Sequence, residues 1–283
     1  MKITVLVENT SKYENIESAH GLSIYIEIEH HKILFDLGPD EIFIRNAQKL
    51  GINLGEVDTV IISHGHYDHG GGLKAFLALN HRAKIYIHRN AFLPHYSKSK
   101  GMAVSCGIDP SFKKHPQIIF SDTEEPFFAV DHNILLFSNP EGTRCIPTMN
   151  QFLYEKRGRK KLQDDFTHEQ NLIITENGKT FLFAGCAHRG IINIIRQAIV
   201  ITGKSLDYVF SGFHLTSHSL NRTEDTDFLN RLVYHLMKYS SEYYTFHCTG
   251  IPAYEYLASF MERRMHYLSA GDSIDLSEKG CSC

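Results

Sequence analysis

A chain of 283 residues, 42% hydrophobic and 22% charged, can fill the core of one large α/β domain. A net charge of −3 argues against a general nucleic-acid binder, and the longest apolar stretch, residues 191–202, is too short to span a bilayer. Without a charged-then-apolar leader, the reading is a cytoplasmic protein with neither membrane nor nucleic acid as partner.

Residues 2–9 read as a strand, and residues 22–29 as a second, with Leu22, Ile24, Ile26 and Ile28 alternating onto one face. A third strand ends at Asp36 before a Gly-Pro pair, and a helix follows from about 40 to 50. Residues 58–63 form a short, almost continuously apolar run, the pattern of a strand buried on both faces. That run feeds directly into His64-Gly-His66-Tyr-Asp68-His69 and a triple glycine. Leu73, Phe76 and Leu77 then follow a helical period, and residues 84–88 read as a strand.

Residues 89–165 are less regular, with short strands expected near 117–121 and 133–138. The segment reads as an insertion or lid-like region within a single domain spanning 1–283. Its basic run, 154–161, is a solvated face or a cover over an anionic substrate. Order returns with strands on either side of Asn177-Gly178, a strong hairpin signal. A helix rich in isoleucine from 191, a strand at 207–211, a helix carrying Phe228, Leu229, Leu232 and Leu236, a strand at 243–246 and a helix from Pro252 complete the alternation. A last strand lies near 266–276. This order predicts sheets covered by helices.

The six cysteines are scattered without a CxxC pair, which suits free thiols or single ligands better than a disulfide framework. The terminal Cys281 and Cys283 read as incidental. The chemistry concentrates at 64–69. Four potential ligands in six residues, at the end of a buried strand, suit zinc, iron or manganese. His64 and His66 aim together, and Asp68 and His69 diverge from them, so one or two divalent ions fit. Three buried imidazoles and a carboxylate without a cation would be costly.

The stretch SHGHYDHGGG resembles the HxHxDH signature of metallo-β-lactamase-fold proteins. Residues 19–38, 181–193, 212–215 and 247–250 are similar to the branch named for dihydropterin ribofuranosylaminobenzene-phosphate synthase. The resemblance implies a four-layer αββα sandwich with metals at one edge. It also implies later ligands: His168 before one strand, Cys186 at the end of the next, and His247 after a late one. One ion would take His64, His66 and His168 and the other Asp68, His69 and His247, with Cys186 reaching one or both. Cys186 departs from the aspartate common in such hydrolases, and a thiolate there favours zinc.

Six further residues attract attention. His188 and Arg189 begin the isoleucine helix, where an anion site, a ligand role or proton donation is expected of His188. His214 follows a strand end and is a candidate substrate contact or proton donor. Asp36 is expected behind the metal histidines as an orienting group. Glu169 reads as a solvent-facing neighbour of His168, and His20 as pocket wall. His218, His235 and His266 carry no functional expectation. The expected reaction is metal-assisted hydrolysis of an ester, phosphoester or lactone-like, in a small, anionic substrate, with Asp68 orienting the water. Two alternatives keep the site. One is a synthase joining a pterin to a ribosyl-arene phosphate, with Tyr67, Tyr96, Phe166 or Phe213 stacking the pterin. The other is a non-catalytic metabolite-binding module.

Overall fold

The isoleucine and phenylalanine strands assemble into two seven-stranded sheets packed face to face. The architecture was obtained as a computed structural model, which describes residues 1–99, 102–217 and 220–277. The first sheet runs Ser273–Asp275, Lys2–Val7, Ser23–Glu27, Lys32–Phe35, Thr59–Ile62, Lys84–Ile87, Ile118–Phe120 in spatial order. The second runs Met265–Tyr267, Glu242–Thr245, Tyr208–Ser211, Lys179–Ala184, Gln170–Glu176, Ile134–Ser138, Phe128–Ala129. His218, Cys281 and Cys283 lie outside the described residues.

Three apolar clusters correspond to the three interfaces of four layers. Between the sheets, Ile3, Val5, Ile24, Phe35 and Ile61 meet Leu172, Phe181, Phe183 and Phe210. On the outer face of the first sheet, Leu34, Val60 and Ile62 pack on Phe43 and Ala47 of helix α1 (Ile42–Lys49) and on Phe76 and Leu77 of α3 (Leu73–Leu79). A single turn, α2 (Tyr67–Gly70), lies between them in sequence. On the outer face of the second sheet, Ile173, Leu182 and Val209 pack on α4 (Ile191–Thr202), α5 (Thr226–Leu236) and α6 (Ile251–Met261). Residues 59–62 show why the run is apolar throughout: Val60 and Ile62 face helices while Ile61 faces the other sheet. Each such side chain, fully buried, contributes about 1.5–3 kcal/mol.

Local chemistry sets the element ends. Asp225 caps α5 by accepting from the Phe228 amide at 2.8 Å. Asn177 and Gly178, both at positive φ, close the hairpin joining Gln170–Glu176 to Lys179–Ala184. The segment 89–165 proves ordered in parts. It gives one strand to the first sheet and two to the second, and its remainder forms a small sheet, Lys160–Gln163, Leu153–Arg157, His95–Ser99, Met102–Ser105. Among the described residues no helix is long and apolar enough to cross a membrane.

The topology decides where the site lies. Strands 32–35, 59–62 and 84–87 run parallel in one sheet, and strands 179–184, 208–211 and 242–245 run parallel in the other. Asp36, His64, Cys186, Gly212 and His247 all lie within two residues of the carboxyl end of one of these strands. Ligand sites collect at such ends because connecting loops leave the sheet there.

Candidate metal centre

The loop after Thr59–Ile62 is drawn tightly into the body. A Cβ on Gly71 would lie 2.1 Å from the Pro39 carbonyl oxygen, and one on Gly72 would lie 2.3 Å from that of Leu37. The triple glycine therefore serves close backbone approach. His64, His69, His168, His188 and His247 are all at most 1% exposed, and His66 and Asp68 are buried at the edge of the cleft.

Hydrogen bonds at the far nitrogen fix which imidazole lone pairs face inward. Ser63 gives its hydroxyl proton to Asp36 at 2.7 Å, so its oxygen accepts from His64 Nδ1 at 2.8 Å. His69 Nδ1 donates to Asp36 at 2.6 Å. His188 Nδ1 donates to Asn150 Oδ1 at 3.0 Å, an amide oriented by its own NH₂ donating to the His188 carbonyl. His247 Nδ1 donates to Asn9 Oδ1 at 2.8 Å, and the Asn9 amide is oriented by the Gly21 N–H and the His247 carbonyl. Four rings thus turn Nε2 toward the same region, with Nδ1 held from behind. Nε2 of His64, His66 and His188 is buried without a hydrogen-bond partner, and these three residues bring donor atoms within 4.8 Å of one another.

A second convergence lies beside the first. His69 Nε2 is 3.2 Å from His247 Nε2 and 3.2 Å from Cys186 Sγ, and Asp68 Oδ2 is 3.4 Å from His247 Nε2. His20, half-exposed at the mouth, reaches Asp68 at 3.3 Å. Burial depresses the basicity of His64, His66 and His188 far below the usual imidazole range, and the neighbouring imidazoles add to this. These rings therefore stay neutral with lone pairs available. Burial acts the same way on His69, but Asp36 and Asp68 outweigh it and push it up to about 9. At that position the fold calls for a positive charge. Burial likewise opposes the Asp68 anion, yet His69, His247 and His20 hold its carboxyl well below the usual range.

His168, expected as a ligand, is placed differently from the other imidazoles. Its Nδ1 accepts from the Gly65 amide at 2.9 Å, so Nε2 carries the proton and donates to Asp164, 3.2 Å away. Neither nitrogen has a lone pair left for a cation. Asp164 also takes His95 Nδ1 at 3.0 Å and the Phe166 amide at 2.8 Å. Burial alone would raise the Asp164 carboxyl, but His168 and His95 hold it well below the usual range. His66, His95, Asp164 and His168 bring donor atoms within 4.8 Å of one another, yet the fixed His168 proton makes this a hydrogen-bonded brace behind Gly65. His188, not His168, turns an unpartnered Nε2 toward His64 and His66.

The start of α4 is also not an open anion site. Glu169 is fully buried rather than solvent-facing, and accepts from the His188 amide at 2.6 Å and the Arg189 amide at 3.0 Å. The Arg189 guanidinium is spent on the carbonyl oxygens of Asp165 and Pro140. His214 sits at φ 50° with Nδ1 buried and unpartnered, and brings a donor atom within 4.8 Å of His188 and Cys186. Sequence reasoning missed several supports. Buried Glu8 accepts from the amides of Thr10 and His247 and from the Tyr267 hydroxyl, which anchors the His247 loop. Asn9, Asn150, His95 and Asp164 were missed as well, being lone residues in segments without spacing signals, and Cys248 was passed over beside His247.

Above the donors lies a cleft of about 220 Å³, with Tyr67, His20, Ser97, Leu153, Thr216 and Ser217 in its wall. Ser97 and Leu153 come from the small sheet, so the 89–165 segment forms part of that wall. Of the aromatics considered for stacking, Tyr67 is 43% exposed in the cleft, while Phe213 is buried in the helix-packed core. Phe166 stacks on His188 at 4.4 Å, and Tyr96 faces Lys161.

Comparison with known proteins fits this geometry. A family model for the metallo-β-lactamase superfamily matches residues 19–136. An uncharacterised protein of Methanocaldococcus jannaschii is 32% identical over 89% of this chain and 91% of its own length. The 7,8-dihydropterin-6-methyl-4-(β-D-ribofuranosyl)-aminobenzene-5′-phosphate synthase of the same organism is 28% identical over 97% of this chain and 96% of its own length. Among solved structures, Tm1679, described as a metal-dependent hydrolase of the β-lactamase superfamily, superposes with a TM-score of 0.79 at 27% identity. That match covers 98% of this chain and 100% of the other.

Proposed function

Because the chain belongs to the metallo-β-lactamase superfamily, we propose that it is a metal-dependent hydrolase of small ester-type substrates, phosphoesters foremost. The observation that carries this reading is the set of buried imidazoles that turn Nε2 inward with Nδ1 held from behind, those of His64 and His188 without any hydrogen-bond partner. One ion would be held by His64, His66 and His188, and a second by Asp68, His69 and His247, with Cys186 beside both. The mixed imidazole, carboxylate and thiol donors suit zinc, with iron or manganese also compatible. Divalent ions there supply Lewis acidity, making water nucleophilic near neutral pH and offsetting developing negative charge.

The chain's own groups do the rest. The charged Asp68 carboxylate orients the attacking water from the side facing His20. His214, with Nδ1 free of any hydrogen bond, is placed to give a proton to the leaving oxygen. His188, expected as a proton donor, is reassigned to holding the cation, because its Nδ1–H is committed to Asn150. Hydroxyls of Ser97, Thr216 and Ser217 in the cleft wall suit the polar or anionic part of a small substrate.

A second reading, condensation of a pterin with a ribosyl-arene phosphate, is favoured by the full-length similarity to the archaeal synthase and by Tyr67 in the cleft. Metal-loaded protein should be assayed against phosphomonoesters, phosphodiesters and lactones, and separately against a pterin with a ribosyl-arene phosphate. Ester turnover lost on chelation supports the hydrolase. Condensation without ester turnover supports the synthase. Tight metabolite binding with neither reaction would leave a binding module.

A further inference from the structure

The two cysteines at the floor of the centre lie at the ends of different strands. Cys186 follows Lys179–Ala184 and Cys248 follows Glu242–Thr245, and the strand Tyr208–Ser211 runs between them. That middle strand ends at Gly212. A Cβ on Gly212 would lie 2.5 Å from Cys248 Sγ and 2.9 Å from the Gly185 carbonyl oxygen, so the absent side chain leaves the space that brings the cysteines together. Cys186 Sγ, Cys248 Sγ and a His247 nitrogen all lie within 4.8 Å of one another. Cys248 Sγ also accepts from the His214 amide at 3.3 Å. Both cysteines line the cleft, within reach of a small solute.

We propose that Cys186 and Cys248 are a modification site, a dithiol that a hydroperoxide converts to a disulfide, and that this disulfide and a bound cation exclude one another. The second clause rests on the metal-centre reading above, and the first does not. The chemistry is a two-electron oxidation. The Cys248 thiolate attacks one oxygen of hydrogen peroxide, the O–O bond breaks, and the departing hydroxide takes up a proton to leave as water, which yields a sulfenic acid. The Cys186 thiol then attacks the sulfenic sulfur, releasing its proton, and the hydroxyl leaves as the second water. Two thiols become one disulfide while one peroxide becomes two waters. Rotation about χ1 of the two side chains must bring the sulfurs from within 4.8 Å to the bonded length of about 2 Å. A disulfide sulfur carries no thiolate charge, so Cys186, 3.2 Å from His69 Nε2, stops being a donor to the centre.

The test starts from purified full-length protein with Cys281 and Cys283 replaced by serine. One portion is kept metal-loaded and one is stripped with a chelator. Both are treated with hydrogen peroxide, digested without reduction and mapped by mass spectrometry. Zinc uptake is measured before and after treatment. In the stripped portion we expect a Cys186–Cys248 cross-linked peptide, a mass loss of about 2 Da, reversal by dithiothreitol and loss of zinc uptake. The metal-loaded portion should resist. Cys248→Ser should yield no cross-link, and its zinc uptake should survive peroxide. Cys106, which also lines the cleft, is an internal reference whose thiol is pushed far up by burial and should stay reduced. Cross-linking at any other pair, or both thiols surviving in the stripped protein, overturns the proposal. If the disulfide forms but the reduced protein takes up no zinc, the thiol pair stands and the metal-centre reading fails.

Discussion

Nε2 of His69 and Nε2 of His247 face each other across 3.2 Å, although each ring has already given its Nδ1 proton away, to Asp36 and to Asn9. Two neutral rings so arranged would oppose two lone pairs, with the Asp68 carboxylate adding a third. A cation held between them, as proposed above, would resolve the conflict. Burial opposes charge on His69, but the Asp36 and Asp68 carboxylates outweigh it and push its pKa up to about 9, so a proton there also relieves the opposition.

Asp36 orients His69 directly and His64 through Ser63. Replacing it with asparagine should weaken zinc binding by about 10- to 100-fold, the usual effect of losing a group behind a metal ligand. Competition against a chromophoric chelator measures this. Affinity equal to that of the parent would contradict the role.

His188→Ala and His168→Gln separate the two ligand sets. The first should remove one ion per chain and lower ester turnover by at least about 10- to 100-fold, the loss already expected when a group behind a metal ligand is removed. The second should keep the ion count while costing about 1–3 kcal/mol of stability, because the Gly65 amide loses its acceptor. Ion loss in His168→Gln with full loading of His188→Ala would restore the assignment expected from sequence.

Glu169→Ala leaves the amides of His188 and Arg189 buried without an acceptor. Destabilisation of about 2–4 kcal/mol is expected from denaturant titration. A change within experimental error would show that water replaces the carboxylate.

His31 joins the two sheets at the end remote from the centre, with Nδ1 2.8 Å from Asp58 and Nε2 3.1 Å from Asp131. Burial alone would lower its pKa, but the two carboxylates outweigh this and raise it above 6.5. A raised pKa makes the contribution to stability complete below 6.5 and lost as the pH climbs through the folded value. With the ring 24% exposed, less than about 1 kcal/mol is involved. The difference in unfolding free energy between parent and His31→Gln should shrink from pH 6 to pH 9. A difference that grew with pH would contradict the clasp.

The cluster at 64–69 was legible because its donors are contiguous and leave a strand whose burial the apolar run declares. Helices covering the sheets were legible from alternation and helical period, while the αββα order came from the resemblance carried by SHGHYDHGGG. His168 and His188 could not be ranked by spacing, since both sit beside strand or helix ends in the same hairpin region. What separates them is a backbone N–H on one ring and the Asn150 carbonyl on the other, a long-range fact that the local sequence does not carry. Glu169 looked exposed for the same reason: nothing near it in sequence announces two buried amides 19 and 20 residues later. The strands at 95–105 and 153–163 pair with one another across some fifty residues of chain, beyond the reach of local pattern.

Diffraction at the zinc absorption edge from crystals of zinc-loaded protein tests the ligand assignment most directly. The account predicts one or two anomalous peaks, one about 2.0–2.1 Å from Nε2 of both His64 and His188, the other at that distance from His69 and His247. An anomalous peak bonded to His168, or none among these rings in a folded, zinc-soaked crystal, would contradict it.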